Sequence, residues 1–154
     1  MPSPKLFIGR YSFVGNIYSV TAVTSERTPL FLNEEHARLA IAAIRDCERK
    51  RQTVSLAWVV MPEHVHWLFA LRRGTLGGCM QRFKSLSARA INASRSLSGA
   101  VWQRGYYEHR LRDEDDLLVQ ARYIVANPLR RGLAERIEGY PYWGARHIRT
   151  SADL

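Results

Sequence analysis

Alternating hydrophobic and polar residues predict three strands in the first half of the chain. Residues 16–24 alternate and are rich in β-branched side chains, which favours a strand. A second apolar run covers residues 54–60, and residues 61–71 follow as a third strand after a tight connection at Pro62 and Glu63. The pattern therefore predicts one strand followed by a β-hairpin.

Apolar residues spaced by three or four positions predict three helices. The first follows Asn33, a suitable N-cap, and ends at the basic residues 49–51. The second starts near Thr75, and its predicted core stripe is Cys79, Phe83, Leu86, Ala90, Ala93 and Leu97. The third covers residues 114–127, with Asp113 as its N-cap and Pro128 ending it from outside.

A fourth strand is expected within residues 101–112, and the aromatic tail contains no predicted element. The order strand, helix, strand, strand, helix, strand is that of an α+β, ferredoxin-like sandwich. We expect an antiparallel sheet with two helices packed on one face and a C-terminal helix on the other. One domain over residues 1–154, with its core at about 9–143, accounts for this pattern.

Side chains of the third strand alternate between the two faces of the sheet. Val65, Trp67 and Phe69 are therefore expected beneath the first two helices. His64 and His66 point to the other face, where the third helix would cover them.

Composition is that of an ordinary globular protein, with 46% hydrophobic and 24% charged residues in 154. No apolar run reaches the roughly 18 residues of a membrane span, and the start lacks the apolar segment of a signal peptide. Cys47 and Cys79 fall at apolar helix positions, which indicates buried thiols in a reducing compartment. We expect a cytoplasmic, nucleoid-associated protein with no membrane partner.

The net charge of +9 changes this picture, because 20 of the 23 basic residues are arginine. Arginine suits phosphate binding, so the charge indicates a polyanionic partner, most simply nucleic acid. Codon bias in a GC-rich genome is the alternative explanation. The candidate DNA-backbone contacts are Arg82, Arg89, Arg104, Arg110, Arg112, Arg130 and Arg131. The candidate base-stacking residues are Trp102, Tyr106 and Trp143.

His64 and His66 are candidate metal ligands, since two neutral imidazoles on one rigid strand make half of a site. The alternative is a pair of core histidines, each satisfied by a hydrogen bond. Gln120, Tyr123 and Asn127 share one side of the third helix. Taken alone, this pattern favours ordinary surface residues. If that side faces the histidines, a phenol and a carboxamide join them.

Three segments together resemble the REP-associated tyrosine transposases, which are relatives of the single-tyrosine transposases within the HUH single-strand endonucleases. They are residues 61–66 (MPEHVH), 102–107 (WQRGYY) and 123–128 (YIVANP). The resemblance extends from about residue 9 to residue 143, and the order and spacing of the segments are more specific than any one of them. One departure is Glu63, where such proteins often carry asparagine, and this affects the expected metal preference.

The resemblance implies an enzyme that cleaves and rejoins DNA through a 5′-phosphotyrosine intermediate. Tyr123 would be the nucleophile, and His64, His66 and Asn127 would hold Mg²⁺ or Mn²⁺. The implied substrate is single-stranded or hairpin DNA, typically hairpin-forming repeats, and the implied protein is a monomer or a homodimer.

Two other function classes fit the residues alone. In a metal-dependent hydrolase, water would replace Tyr123 as the nucleophile, and His109 would be a further ligand. A binding module would use the same sheet without chemistry, indifferent to metal and to loss of His64 or Tyr123.

Overall fold

The structure, a computed structural model, describes residues 12–112 and 114–154. Its five strands are β1 (Ile17–Val23), β2 (Thr53–Met61), β3 (His64–Leu71), β4 (Tyr107–Leu111) and β5 (Trp143–Ala145). Its α-helices are α1 (Glu34–Arg49), α2 (Leu76–Ser94), α3 (Glu114–Val125) and α4 (Asn127–Arg130). The predicted cap Asp113 lies outside the described residues.

All strands form one antiparallel sheet in the order β4-β1-β3-β2-β5. The predicted α+β fold, with an antiparallel sheet and two packed helices, is therefore confirmed. The central strand is β3, whose neighbours are β1 and β2. Met61 pairs with His64, so Pro62 and Glu63 form the two-residue connection of the predicted hairpin.

One face of the sheet is closed by α1 and α2. The buried side chains of Val65, Trp67 and Phe69 share a core with residues of both helices, as expected from their alternation on β3. Each of these helices begins at a side-chain cap. Asn33 Oδ1 accepts from the His36 N–H at 3.1 Å, and Thr75 Oγ1 accepts from the Gly78 N–H at 3.0 Å.

The other face carries a second, smaller core beneath α3. Leu68 of β3 and Leu111 of β4 join Ala121, Ile124 and Val125 of α3 in this core. Because the apolar side of α3 packs here, the helix covers only part of the face. The part of this face that α3 leaves uncovered includes the start of β3, where His64 and His66 are located.

Three local predictions differ from the structure. β4 begins at Tyr107, and the segment before it contributes only an isolated bridge between Trp102 and Thr24. α3 ends at Val125, and Pro128 lies inside the short α4, because a proline is tolerated in the first turn of a helix. The tail contains the unpredicted β5, which extends the sheet beside β2.

The core stripe of α2 also differs. Its buried positions are Leu76, Cys79, Met80, Phe83, Ser87 and Ile91. Leu97 lies beyond the helix end and is 60% exposed, and Ala93 is exposed as well. Cys47 and Cys79 are buried free thiols, as predicted. Within residues 12–112 and 114–154, no helix is long and apolar enough to cross a membrane.

Candidate functional site

The two histidines stand on β3 at one side of a cavity of about 440 Å³. Register places Thr21 of β1 beside His66 and Val23 beside His64. The other walls of the cavity are formed by side chains of β1 and β4 and of the segments that follow these two strands. Its lining residues are Ser19, Thr21, Val23, Arg27, His64, His66, Tyr107, Glu108, His109, Gln120 and Arg131.

His64 is oriented by Glu63, the residue before it. Its Nδ1–H donates to Glu63 Oε1 at 2.9 Å, which leaves the lone pair on Nε2. Arg131 holds the same carboxylate with both arms of its guanidinium, at 3.0 and 3.1 Å. These bonds to Arg131 and His64 lower the pKa of Glu63 to about 2, so the carboxylate stays charged at neutral pH. Glu63 therefore fixes the ring and its tautomer.

His66 is held from the neighbouring strand. Its Nε2 lies 3.1 Å from Ser19 Oγ of β1. Burial, together with repulsion from His64 and Arg130, lowers the pKa of His66 to about 4. Burial also lowers the pKa of His64, although Glu63 opposes this. Both imidazoles are therefore neutral at pH 7, the form that binds metals.

This donor set fits two of the six positions in an octahedral divalent-cation shell. Among the described residues, no three His, Cys, Asp or Glu side chains come together as a metal site. His109 lines the same cavity from β4 but does not complete such a group with His64 and His66. Water, neutral protein oxygens or oxygens of a bound substrate would supply further ligands beside this pair.

Of the three polar residues predicted for one side of the third helix, one reaches the cavity. Gln120 lines it, whereas Tyr123 of α3 and Asn127, which is the first residue of α4 and not part of the predicted third helix, are not among the lining residues. Tyr123 is 54% exposed, and the Arg130 guanidinium carbon lies 3.6 Å from the centre of its ring. Direct contact of Tyr123 or Asn127 with the histidines stays a prediction.

The predicted DNA contacts fall into three groups. Trp102 is only 7% exposed and its Nε1–H donates to Ser87 Oγ, so nearly all of its ring packs in the core. Arg82 forms an ion pair with Asp46 at 2.7 Å, and Arg131 is paired with Glu63. The remaining arginines are exposed: Arg89, Arg104, Arg110, Arg112 and Arg130.

Sequence reasoning missed Ser19 and Thr21, although their signal was present. β1 alternates between residues buried under the helices, such as Val20, and polar residues at these two positions. Once β1 is placed beside β3, that alternation puts both polar side chains next to His66. The Glu63–Arg131 pair had no such signal, because it joins residues 68 positions apart.

Comparison with known proteins gives a consistent set of similarities. The sequence model of the IS200-like transposases matches residues 13–127. A Haemophilus influenzae protein described as a REP-associated tyrosine transposase is 29% identical over 140 residues, covering 83% of this chain and 78% of that protein. The Escherichia coli K12 REP-associated tyrosine transposase is 26% identical over 133 residues, covering 86% of this chain and 78% of that protein.

Solved structures show the same similarity. A REP-associated tyrosine transposase bound to a REP hairpin superimposes with a TM-score of 0.72 at 25% identity, covering 87% of this chain and 79% of that one. A Deinococcus radiodurans protein described as a transposase superimposes with a TM-score of 0.54 at 22% identity. It covers 73% of this chain and 91% of that one, and it supports the fold alone.

Proposed function

Because the chain belongs to the IS200-like transposase family, whose tyrosine transposases cleave and rejoin DNA, we propose that it cleaves single-stranded DNA next to a hairpin through a 5′-phosphotyrosine intermediate. The observation that carries this proposal is the pair of neutral imidazoles on β3, one fixed by Glu63 and the other by Ser19. The relative bound to a REP hairpin supports hairpin-forming DNA as the substrate.

The proposed reaction exchanges one phosphoester for another. The Tyr123 oxygen forms a bond to the scissile phosphorus while the bond from phosphorus to the 3′ oxygen breaks. The exposed phenol releases its proton to water, and the departing 3′ oxygen takes up a proton. Rejoining reverses these steps with a 3′-OH as the attacking group, so no nucleotide cofactor is required.

The histidines are proposed to hold Mg²⁺ or Mn²⁺, with the Asn127 carboxamide as a third, neutral ligand. When bound, such a cation withdraws negative charge from the phosphate and the departing oxygen. Arg27 at the same cavity adds positive charge near the DNA backbone, whereas the charge of Arg131 is balanced by Glu63. The DNA reaches the cavity from its open side, which α3 leaves uncovered.

The decisive experiment incubates the protein with hairpin DNA carrying a single-stranded flank and Mn²⁺. A covalent adduct that survives denaturation is expected for the wild type and for Tyr142→Phe, a matched control on the other side of β2. Tyr123→Phe should lose at least about a thousandfold in cleavage rate, because it removes the nucleophile and keeps the ring, and its DNA affinity should stay near wild type.

Three results would contradict the proposal. Cleavage without any adduct would indicate water as the nucleophile. An adduct mapped to Tyr106 or Tyr107 would reassign the attacking group. Binding without cleavage at any metal concentration would leave a binding module.

A further inference from the structure

Two consecutive arginines stand at the end of α4. Arg130 is the last residue of this helix, and Arg131 is its C-cap. The helix follows almost directly from α3, because Ala126 has helical dihedral angles (φ −78°, ψ −3°) and its N–H donates to the Arg122 carbonyl at 2.9 Å. Tyr123 of α3 and the two arginines therefore belong to one short, hydrogen-bonded stretch of backbone.

Arg130 stacks on the Tyr123 ring. Its guanidinium carbon lies 3.6 Å from the ring centre, which is van der Waals contact between two flat groups. Such a contact combines dispersion with the attraction of a cation to the face of the ring. The two residues are seven positions apart, or about two helical turns, so they lie on the same side of the helical stretch. The stack restricts the rotation of a phenol that is otherwise exposed to solvent.

The hydrogen-bond donors of Arg130 are free. Among the side chains that the structure describes, Arg130 makes neither an ion pair nor a hydrogen bond through its guanidinium, whereas Arg131 makes both with Glu63. A guanidinium that lies flat on a ring keeps its N–H groups in its own plane and directs them past the ring. The donors of Arg130 thus remain available to an anion that approaches the phenol.

Arg131 fixes α4 relative to the histidines. Its two bonds to the Glu63 carboxylate, at 3.0 and 3.1 Å, join the end of α4 to the residue that orients His64. The Glu63 side chain is only 14% exposed, which limits the competition of water for this ion pair. Arg130 is held next to it by the bond from its N–H to the Ala126 carbonyl at 3.0 Å. The stack on Tyr123 is therefore placed relative to the proposed metal ligands as well.

We infer that Arg130 is a positioning residue for the nucleophile, because its stack on the ring holds the Tyr123 oxygen in the orientation that attack on the phosphate requires. The inference rests on the proposed function for the role of Tyr123. An exposed tyrosine samples many orientations, and few of them direct the phenol oxygen at the phosphorus in line with its leaving group. Arg130 raises the fraction of bound complexes that can react, and its free donors meet the oxygens of the attacked phosphate.

This role differs from that of an ordinary contact to the DNA backbone. An arginine that only binds the backbone contributes to affinity, so added DNA compensates for its loss. An arginine that positions the nucleophile acts after the DNA is bound, so its loss persists at saturation. The two roles are separated by comparing the DNA concentration for half-maximal rate with the rate at saturation.

The test measures the rate of adduct formation over a range of DNA concentrations at saturating Mn²⁺. Arg130→Met keeps a long side chain and removes the flat cation, so the rate at saturating DNA should fall about 10- to 100-fold, while the half-saturating DNA concentration changes less than about threefold. Arg130→Lys restores the charge without the planar group and should recover little of the rate. Arg38→Met, which removes an exposed arginine 5.7 Å from the ring centre of Tyr142, is the matched control and should leave both quantities unchanged.

The stack itself can be measured without DNA or metal. In nuclear magnetic resonance spectra, the ring current of Tyr123 should shift the Arg130 Nε–H proton upfield, and Tyr123→Leu should abolish that shift. Neither cleavage nor the metal site affects this measurement, so it reports on the contact alone.

A positioning role is excluded by any of three results. An Nε–H resonance that does not respond to Tyr123→Leu would show that the stack is absent in solution. A loss confined to the half-saturating DNA concentration would make Arg130 a backbone contact, and full recovery in Arg130→Lys would show that charge alone is sufficient. Normal adduct formation in both the wild type and Arg130→Met would contradict the role of Arg130 and keep the proposed reaction. A wild type that forms no adduct would contradict the reaction itself, and Arg130 would then have no nucleophile to position.

Discussion

The two faces of the sheet are built from the same strands but have different contents. On β3, Val65 and Trp67 enter a core that two long helices close completely, whereas His64 and His66 face a cavity that α3 covers only in part. Under the helices, the Trp67 Nε1–H donates to Ser55 Oγ at 2.9 Å, so this polar group is satisfied within the protein. On the other face, the imidazoles keep a side open to ligands. One face supplies stability, and the other exposes reactive groups on the same rigid backbone.

Removing a large side chain from the face covered by α1 and α2 should destabilise the protein more than any other change considered. Trp67→Ala should lower the free energy of unfolding by roughly 3–5 kcal/mol, because it leaves a cavity beneath Phe69 and Phe83. Urea titration measures the loss. His66→Ala, one residue away on the open face, should cost clearly less. Equal losses would mean that the open face is as important for folding as the closed one.

On the open face, Glu63→Gln tests the orientation of His64. The amide cannot neutralise Arg131 and accepts the Nδ1–H less strongly, so His64 becomes a weaker ligand. We expect the Mn²⁺ concentration for half-maximal cleavage to rise about 10- to 100-fold. Glu34→Gln, which breaks the exposed pair with Arg38, is the control. An unchanged metal titration would show that Glu63 has no role in holding the ligand.

Lys84 is a partly buried charged residue on the side of the sheet covered by the helices. The stability of the protein should therefore depend on the protonation of Lys84. Its pKa in the folded protein is about 8, below the value near 10.5 of an unfolded chain. The unfolded state therefore binds more protons between these values, and stability rises with pH across that window. Relative to Lys84→Met, the wild type should gain roughly 1–2 kcal/mol between pH 7.5 and pH 9.5 by urea unfolding. The same pH dependence of the unfolding free energy in both proteins would show that the Lys84 ammonium is hydrated in the folded state.

Replacing Asn127 should change the metal dependence of cleavage less than replacing Glu63. As a neutral ligand it would contribute little, so Asn127→Ala should raise the half-saturating Mn²⁺ concentration about fivefold and change the rate at saturation less. If Asn127 is only the first residue of α4, where Ala126 is the N-cap and no side-chain cap bond is made, the variant should leave the Mn²⁺ dependence unchanged and alter stability by less than about 0.5 kcal/mol. Superimposable Mn²⁺ curves would remove Asn127 from the metal shell.

Alternation along the strands was sufficient to predict which side chains lie on each face of the sheet. It separated His64 and His66 from Val65 and Trp67, and the order of elements then gave the sheet, because these patterns reflect burial directly. The core stripe of α2 was missed at Ser87, a buried serine that donates to Phe83 O at 2.7 Å and accepts from the Trp102 indole. A pattern of apolar residues cannot detect a polar residue satisfied by its partners.

The placement of Tyr123 depends on information that spacing does not contain. Helical periodicity puts Gln120 and Tyr123 on one side of α3, but the docking angle decides which of them reaches the cavity. That angle is determined by packing of Ile124 and Val125 against the far end of the sheet. The three-residue β5 was likewise unpredictable, since so short a run has no usable period.

The connection between β2 and β3 affects how the protein unfolds. The carbonyl of Pro62 accepts from the Phe31 N–H at 3.0 Å, and that of Glu63 accepts from the Thr24 N–H at 3.0 Å. The segment that orients His64 is thus tied at both residues to other parts of the chain, and the strand after it is central in the sheet. We expect the amides of Phe31 and Thr24 to exchange their hydrogens slowly, with the opening of the whole domain. We therefore expect the histidine pair to keep its geometry up to the cooperative melting of the protein, so that heating abolishes the proposed metal site and the fold in one transition.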